Sequence, residues 1–460
     1  MIRLLAVAAP ADMLSGLKEG GLALSLADRA IGFLGIAVML GIAWLISYDR
    51  KRIPWRLVGI GLLLQAAFGV VVLKTSAGRW FFERVGEVVN SLLGFATVGA
   101  RFVFGNLVQG DVPVGVPNLA GGPLDTTAGL VANTGAFFAF SVLPTIIFFS
   151  ALMSVLYHIG AMQVVVKAIA WVMQRSLGTS GAETLSASGN IFLGQTESPL
   201  LIKPFVKTMT SSELMTVMVG GFATVAGGVL AAYTLMLQGA FPSIAGHLLA
   251  ASVMNAPAGL LLSKMIRPED GVPVSKDSLT ISVEKPDANV IEAAASGAGV
   301  GVQLALNVGG MLMAFIALVA MLNFAVGWVG GFVGQPDLTI QAILGTLLRP
   351  LAWVMGVPWA DTAYVGGLIG IKTTLNEFVS YAQFAGDLKT NAVAIQPRSA
   401  VILAYALLGF ANLSSIGIQI GGIGGLAPER RSEIARLGFR AMIAGNLAAF
   451  MSASLAGMLL

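Results

Sequence analysis

Long charge-free stretches, separated by short polar groups, set the rhythm of this chain. Residues 126–166, 214–263, 293–336, 399–428 and 441–460 carry no Asp, Glu, Lys or Arg. Each is at least as long as the ~20 residues a helix needs to cross a bilayer. The pattern predicts spans over 31–46, 55–73, 137–157, 214–237, 244–265, 298–329, 400–425 and 440–460. Residues 77–108 read differently. There Arg79, Glu83, Arg84, Glu87, Asn90 and Arg101 mix with Trp80, Phe81, Phe82 and Leu92, as in a helix lying along the outer surface. Residues 162–173, carrying Lys167 with Arg175 just beyond, fit an interfacial helix on the inner side.

Two apolar segments are interrupted. In 184–205, Gly189, Asn190 and the hexapeptide Gly194-Gln195-Thr196-Glu197-Ser198-Pro199 form a polar knot, followed by Lys203 and Lys207. In 340–384, Pro350, Pro358 and Gly366-Gly367 precede Lys372-Thr373-Thr374-Leu375-Asn376-Glu377. Backbone that leaves the helix at bilayer depth is tolerated only where protein or a water-filled cavity surrounds it. Each segment is therefore read as a re-entrant hairpin, the first with its tip at 194–199, the second entered from outside.

The halves rhyme. A hairpin bearing Gln195, Thr196 and Glu197 precedes a Gly-rich span with Thr224; a hairpin bearing Asn376 and Glu377 precedes a span broken at Asn412-Leu413-Ser414-Ser415. Entry from opposite faces makes the repeat inverted, the usual build of secondary transporters. The expected fold is an all-α polytopic membrane protein with about eight transmembrane helices and two oppositely oriented re-entrant hairpins.

Composition agrees with a membrane protein. Of 460 residues, 56% are hydrophobic and only 11% charged, where a soluble domain carries about 25% charged residues. The net charge of +4 does not point to nucleic acid. Its basic residues sit in short loop groups: Arg50-Lys51-Arg52 with Arg56, Lys264 with Arg267, and Arg430-Arg431 with Arg436 and Arg440. That is the positive-inside signature, and it places both termini outside. The absence of cysteine excludes disulfides, thiolate metal sites and Cys nucleophiles. Residues 1–11 faintly resemble a signal peptide but are read as part of a loose N-terminal extension over 1–30.

The polar residues at depth are Asn190, Gln195, Thr196, Glu197, Thr224, Glu377, Asn412 and Ser415. A carboxylate at bilayer centre costs roughly 2.5–3.5 kcal/mol on insertion scales, so Glu197 and Glu377 need a partner or a task. The set contains no Arg or Lys, which an anionic substrate would favour; Lys372, five residues before Glu377, stays open as a member. Carboxylates with amides and hydroxyls suit a neutral solute rich in hydroxyl and N–H groups, sugar-like or nucleobase-like. Broken helix ends also expose carbonyls that coordinate small cations. Asn190, the Leu193 carbonyl, Thr224 and the Val225 carbonyl can form a sodium cage without a carboxylate.

Three motifs carry a resemblance: Asn190-Ile-Phe-Leu-Gly-Gln-Thr-Glu-Ser-Pro-Leu-Leu-Ile-Lys-Pro-Phe205, Asn376-Glu-Phe-Val-Ser-Tyr381 within 366–384, and Gly409-Phe-Ala-Asn-Leu-Ser-Ser415. Together, and in this order, they resemble the concentrative nucleoside transporter family from about Ile31 to the C-terminus. The resemblance implies sodium-coupled import of purine and pyrimidine nucleosides, such as uridine, cytidine and adenosine, by a homotrimer in a bacterial inner membrane. Each protomer would have a scaffold over 31–158 and 293–332 and an elevator-like transport domain over 162–266 and 340–460, with a cytoplasmic loop over 267–292. Gln195, Thr196 and Glu197 would contact the nucleobase, with Val229 packing on it. Glu377, Asn412 and Ser415 would hold the ribose hydroxyls, with Phe410 nearby. Asn190, Leu193, Thr224 and Val225 would bind Na⁺. Gly194, Gln195, Thr224 and Val225 look like the combination of broad-selectivity members, and a larger side chain at Gly194 would crowd purines. Ser198 stands where some relatives carry Ala.

Rival readings are a proton-coupled nucleoside symporter, an elevator transporter of another neutral polyol-like solute, and an intramembrane enzyme using the two glutamates as acid and base. The last lacks an activated nucleophile and an HExxH motif, so no enzyme activity and no organic cofactor are expected. Gly297-Ala-Gly299-Val-Gly301 reads as close helix packing rather than a dinucleotide loop, since no βαβ context precedes it. His158 and His247 have no metal-ligand spacing. The sequon Asn412-Leu413-Ser414 falls inside a span.

Overall fold

The computed structural model describes residues 26–109, 111–113, 131–133, 138–276, 287–332, 334–390 and 392–460. Most of the extension expected over 1–30, and 277–286 of the loop expected over 267–292, lie outside the described residues. The described chain is a multi-pass helical protein with one short ribbon, Asp111–Pro113 paired antiparallel with Val131–Asn133.

Three helices open the chain: α1 (Leu26–Leu45), α2 (Trp55–Lys74) and α3 (Ser76–Phe104). Thr75 starts α3 by accepting the Gly78 N–H, and Gly105, at φ 59°, ends it. A wide helical turn, Phe138–Val142, leads into α4 (Leu143–His158), and α5 (Ala161–Leu177) follows. Then comes a first hairpin: α6 (Gly181–Gly189), a tip, and a 3-10 arm, Ser198–Phe205. Next are α7 (Ser211–Ala223), α8 (Gly227–Leu237) and α9 (Ile244–Ile266). Ser180 with Glu183, and Thr210 with Glu213, form capping boxes that fix the starts of α6 and α7.

After α10 (Val290–Gly331) and α11 (Ile340–Val354) the same order returns. A second hairpin, α12 (Thr362–Thr374) and α13 (Glu377–Lys389), precedes α14 (Pro397–Leu407), α15 (Leu413–Leu426) and α16 (Arg431–Leu459). Asn255 of α9 and Asn446 of α16 do matching jobs. Asn255 Nδ2 donates to the Ala223 carbonyl at the α7–α8 break (2.7 Å), and Asn446 Nδ2 to the Ala411 carbonyl at the α14–α15 break (2.9 Å).

Two expectations need correction. The span expected over 214–237 is two helices, because Thr224 and Ala226 take extended backbone between α7 and α8. The second broken segment is not one unit over 340–384. Residues 340–354 form the separate helix α11, and Gly366-Gly367 lies inside α12 rather than interrupting it. Those glycines let the two helices touch: a Cβ on Gly366 would meet the Gly345 carbonyl at 2.9 Å, and one on Gly367 the Gln341 carbonyl at 3.1 Å. The span expected over 298–329 is present, within a 42-residue helix about 63 Å long at 1.5 Å per residue.

Among the described residues, seven helical stretches are long and apolar enough to cross a membrane, α7 and α8 counted together as one and Ser76–Val108, the stretch read from sequence as a surface helix, among them. The apolar stretch Arg29–Leu45 of α1 is shorter, as are α14 and α15 taken separately. Joined through the break at Asn412, α14 and α15 supply the length of one crossing.

The glycine run in α10 is a packing surface, as expected. A Cβ on Gly297 would sit 2.6 Å from Ser154 Cβ, and one on Gly301 would sit 2.6 Å from Ile147 Cα, so α10 and α4 meet almost backbone to backbone. α1 and α2 also pack closely on α16 and α9, through side chains that fill the space over their glycines. Gly35 lies against Ser454, Gly69 against Met254 and Leu459, and Gln65 Nε2 donates to Ser452 Oγ at 2.9 Å in a buried contact.

Candidate functional site: two broken helices and two hairpin tips

The two helix breaks meet back to back. Gly409 has φ +109°, which L side chains rarely adopt, and a Cβ there would approach the Phe222 carbonyl oxygen to 2.6 Å and that of Ala223 to 2.9 Å. One residue on, Phe410 N–H donates to the Thr224 carbonyl at 3.3 Å. The first hairpin tip closes on the same place. Gly227 N–H, which opens α8, donates to the Phe192 carbonyl at 2.8 Å, and Ser252 Oγ donates to the Ile191 carbonyl at 3.0 Å. An unpaired backbone group in hydrocarbon costs several kcal/mol, so these hydrogen bonds help make the breaks tenable.

Asparagines start the second helix of each later pair. Asn376 Oδ1 accepts the Val379 N–H at the head of α13, and Asn412 Oδ1 accepts the Ser415 N–H at the head of α15, both at 2.9 Å. Those two caps aim Glu377 and Asn412 at each other. Asn412 Nδ2 donates to Glu377 Oε2 at 2.9 Å, and Tyr233 Oη of α8 donates to Oε1 at 3.0 Å. From Asn412 the path continues through Ser415, whose Oγ accepts from Gln195 Nε2 at 3.2 Å. Gln195 Oε1 then accepts from Gln419 Nε2 at 3.1 Å. The hydrogen-bonded path Glu377–Asn412–Ser415–Gln195 thus joins the second hairpin to the first through α15.

Glu197 takes a different position. Its Oε2 accepts the Gly194 N–H at 3.1 Å, and its half-buried carboxylate lines a cavity of about 540 Å³. That volume falls within the range of small-molecule pockets. The cavity lies between the first hairpin with the start of α8 on one side and α4 with α10 on the other. Leu193, Ala226 and Gly228 line it beside Glu197; Tyr157 and Gly297 face them. Lys203, His158 and Asp287 also line it, and Glu377 does not. The two carboxylates are therefore placed differently: Glu377 stands in the hydrogen-bonded path and Glu197 on the cavity wall.

Other expected residues fall around this core. Thr196 is exposed and packs against Gly422 of α15, while Val229 is buried at the start of α8 and Phe410 is half-buried at the second break. Gly194 has room for a Cβ, whose nearest neighbours would be Ala226 Cβ and Glu197 Cδ at 3.6 Å. Lys372 stays out of the cavity and binds backbone carbonyls instead.

The donor set expected for sodium has a chemistry that fits the ion. Asn190, Leu193, Thr224 and Val225 are all buried, and both amide atoms of Asn190 lack a hydrogen-bond partner. Asn190 lies against the turn of α7 that carries Thr224, since a Cβ on Gly220 would come 3.0 Å from its Nδ2. Thr224 Oγ1 donates to the Gly220 carbonyl at 2.9 Å, which leaves its lone pairs free for a cation. A buried, unpartnered amide oxygen beside a helix break fits an alkali cation.

Tyr233, Gln419, Asn255 and Asn446 complete the framework and were not singled out from the sequence. The available signal was a lone amide or hydroxyl within a charge-free run, as at Asn255 and Asn446.

Residues 34–107 match the family description "Na+ dependent nucleoside transporter N-terminus" and 247–457 the description "Na+ dependent nucleoside transporter C-terminus". The chain belongs to the Na⁺-dependent nucleoside transporter family. Residues 139–240 of this family member match a third description, "Nucleoside recognition", over the first hairpin and its broken helix. A Haemophilus influenzae protein described as an uncharacterized transporter is 44% identical over 427 residues, 92% of this chain and 96% of that one. Sodium/nucleoside cotransporter 1 of Rattus norvegicus is 40% identical over 445 residues, 94% of this chain but 64% of the rat protein. Among solved structures, CNTnw in an inward-facing substrate-bound state has a TM-score of 0.83 at 44% identity, covering 94% of this chain and 98% of that one. A CNTnw variant in an outward-facing state has a TM-score of 0.85 at 43% identity, covering 95% and 98%.

Proposed function

We propose that this protein imports nucleosides in symport with Na⁺. The carrying observation is the unbroken path from Glu377 through Asn412 and Ser415 to Gln195, next to the cavity that Glu197 lines. Glu377 can accept ribose hydroxyls on lone pairs that Tyr233 and Asn412 leave free, because a carboxylate offers about four acceptor sites. Gln195, Thr196 and Glu197 supply donors and acceptors for a nucleobase, and Val229 an apolar surface. Asn190, Thr224 and the carbonyls of Leu193 and Val225 hold the coupling ion. Sodium would brace the first tip against the broken helix that forms the nucleoside pocket, which ties one binding event to the other.

Transport would proceed by an elevator motion within a homotrimer in a bacterial inner membrane, with both termini periplasmic. The cavity lining includes Asp287, which lies in the loop that the basic residues assign to the cytoplasm, and this favours an inward-open state. Packing favours one change to the division expected from sequence. A sliding boundary is hard to reconcile with the buried Gln65–Ser452 bond and the glycine contacts of α1 and α2 on α16 and α9. We therefore place α1 and α2 with the moving unit and leave α4 and α10 as the core of the scaffold.

Calorimetric titration of the purified protein with uridine, in NaCl and in choline chloride, tests the reading. Sodium-dependent binding that cytidine and adenosine compete away, and free polyols do not, is expected. Binding indifferent to sodium, or displaced by polyols, would overturn it.

A further inference from the structure

Lys372 lies in the last turn of α12, and its side chain is fully buried. Its ammonium is held by carbonyls. Nζ donates to the Ala406 carbonyl at 2.8 Å and the Leu408 carbonyl at 3.2 Å, and it stands 5.5 Å from the centre of the Phe450 ring of α16. Two carbonyls and an aromatic face match the three donors of an ammonium. The carbonyls belong to the C-terminal end of α14, where the negative end of the helix dipole collects.

The first hairpin unit has the same parts in the same order. Asn190, at the end of α6, lies against the last turns of α7, as Lys372, at the end of α12, lies against the end of α14. Asn255 and Asn446 clasp the two breaks from the following helix of each unit. The units differ in what meets the helix end: an amide with both polar atoms unpartnered in the first, a lysine ammonium in the second.

We infer that Lys372 is a tethered cation, doing in the second unit what a bound sodium ion does beside Asn190 in the first. It neutralises the carbonyl end of a broken helix permanently, so only the first unit exchanges an ion with solution. The inference rests on the sodium reading of the Asn190 set. It makes Lys372 a positioning residue: it fixes the α14 end of the break from which Asn412 reaches Glu377.

Two variants separate charge from packing. Lys372→Ala leaves an ammonium-sized space lined by the same carbonyls, and Lys372→Met fills that space without charge. Uridine uptake by proteoliposomes and the melting temperature of the purified protein are followed against NaCl and methylammonium chloride, with choline chloride controlling for ionic strength. At sodium levels that half-saturate the wild type, Lys372→Ala should lose uptake roughly tenfold or more, as when a charge-assisted hydrogen bond is lost. Methylammonium or high sodium should restore its uptake and raise its melting temperature, and its sodium dependence should turn from hyperbolic to sigmoidal. Lys372→Met should stay impaired in every salt. Wild-type uptake by Lys372→Met, or a Lys372→Ala protein unresponsive to both cations in uptake and melting, would overturn the inference. Failure of the sodium reading would look different: wild-type uptake indifferent to sodium, with methylammonium still restoring Lys372→Ala.

Discussion

Tyr233 and Glu377 come from helices far apart in sequence, yet Tyr233 Oη donates to Glu377 Oε1 at 3.0 Å while Asn412 holds Oε2. The tyrosine is itself braced, its ring stacked on Tyr381 at 4.2 Å. The carboxylate is thus oriented before a substrate arrives, which reduces the ordering cost of binding. Glu377→Gln should weaken uridine binding by about 1.5–3 kcal/mol, the value of a hydrogen bond to a charged group. Tyr233→Phe leaves the charge and removes one orienting bond, so its effect should be smaller, about 0.5–1.5 kcal/mol. Calorimetric titration in saturating sodium measures both, and equal affinity of Glu377→Gln and wild type would remove Glu377 from the ribose site.

Asn190 gives a second prediction. Its replacement by Ala removes a neutral oxygen from the proposed ion cage and leaves the nucleoside contacts in place. The sodium concentration for half-maximal uptake should rise roughly tenfold, equivalent to about 1.4 kcal/mol. Maximal uptake at high sodium should fall less. An unchanged sodium curve would place the ion elsewhere.

Gly409 should be intolerant for reasons of backbone alone. Its positive φ would strain any other residue by about 1–3 kcal/mol. A methyl group would also press on the Phe222 and Ala223 carbonyls of the facing break. Gly409→Ala should lower the melting temperature and reduce uridine affinity, because the two breaks would be pushed apart. A variant that melts and binds like wild type would show that the breaks do not need this contact.

Gly194 should behave in the opposite way. A Cβ there meets only ordinary contacts at 3.6 Å, so Gly194→Ser should fold normally. The added side chain projects beside Glu197, where the nucleobase is proposed to lie. Adenosine uptake should fall while uridine uptake is largely kept, as competition assays would show. Equal loss of both would mean that Gly194 does not face the base.

Much of this site could be read from residues alone. The knot 194–199 marks a hairpin tip because amides, a carboxylate and Pro199 cannot continue an apolar helix. Asn376 and Asn412 announce helix starts through their capping chemistry. The break at Thr224 was harder to see, since its flanking glycine pairs are tolerated inside membrane helices. What stabilises it, Asn255 reaching the Ala223 carbonyl from α9, is a tertiary contact with no local signature. For α11, Pro350 and the Gly366-Gly367 pair looked like interruptions of one hairpin. Gly366 and Gly367 instead serve helix contact between α11 and α12, a role that spacing within one segment does not distinguish from a break. Lys372 illustrates the same gap, because its partners lie more than thirty positions onward.

Coupling of nucleoside movement to sodium is the central claim, and uptake of labelled uridine by proteoliposomes tests it most directly. An inward sodium gradient should drive accumulation above the external concentration, and dissipating that gradient should abolish it. Accumulation that ignores sodium and follows a pH gradient instead would contradict the account.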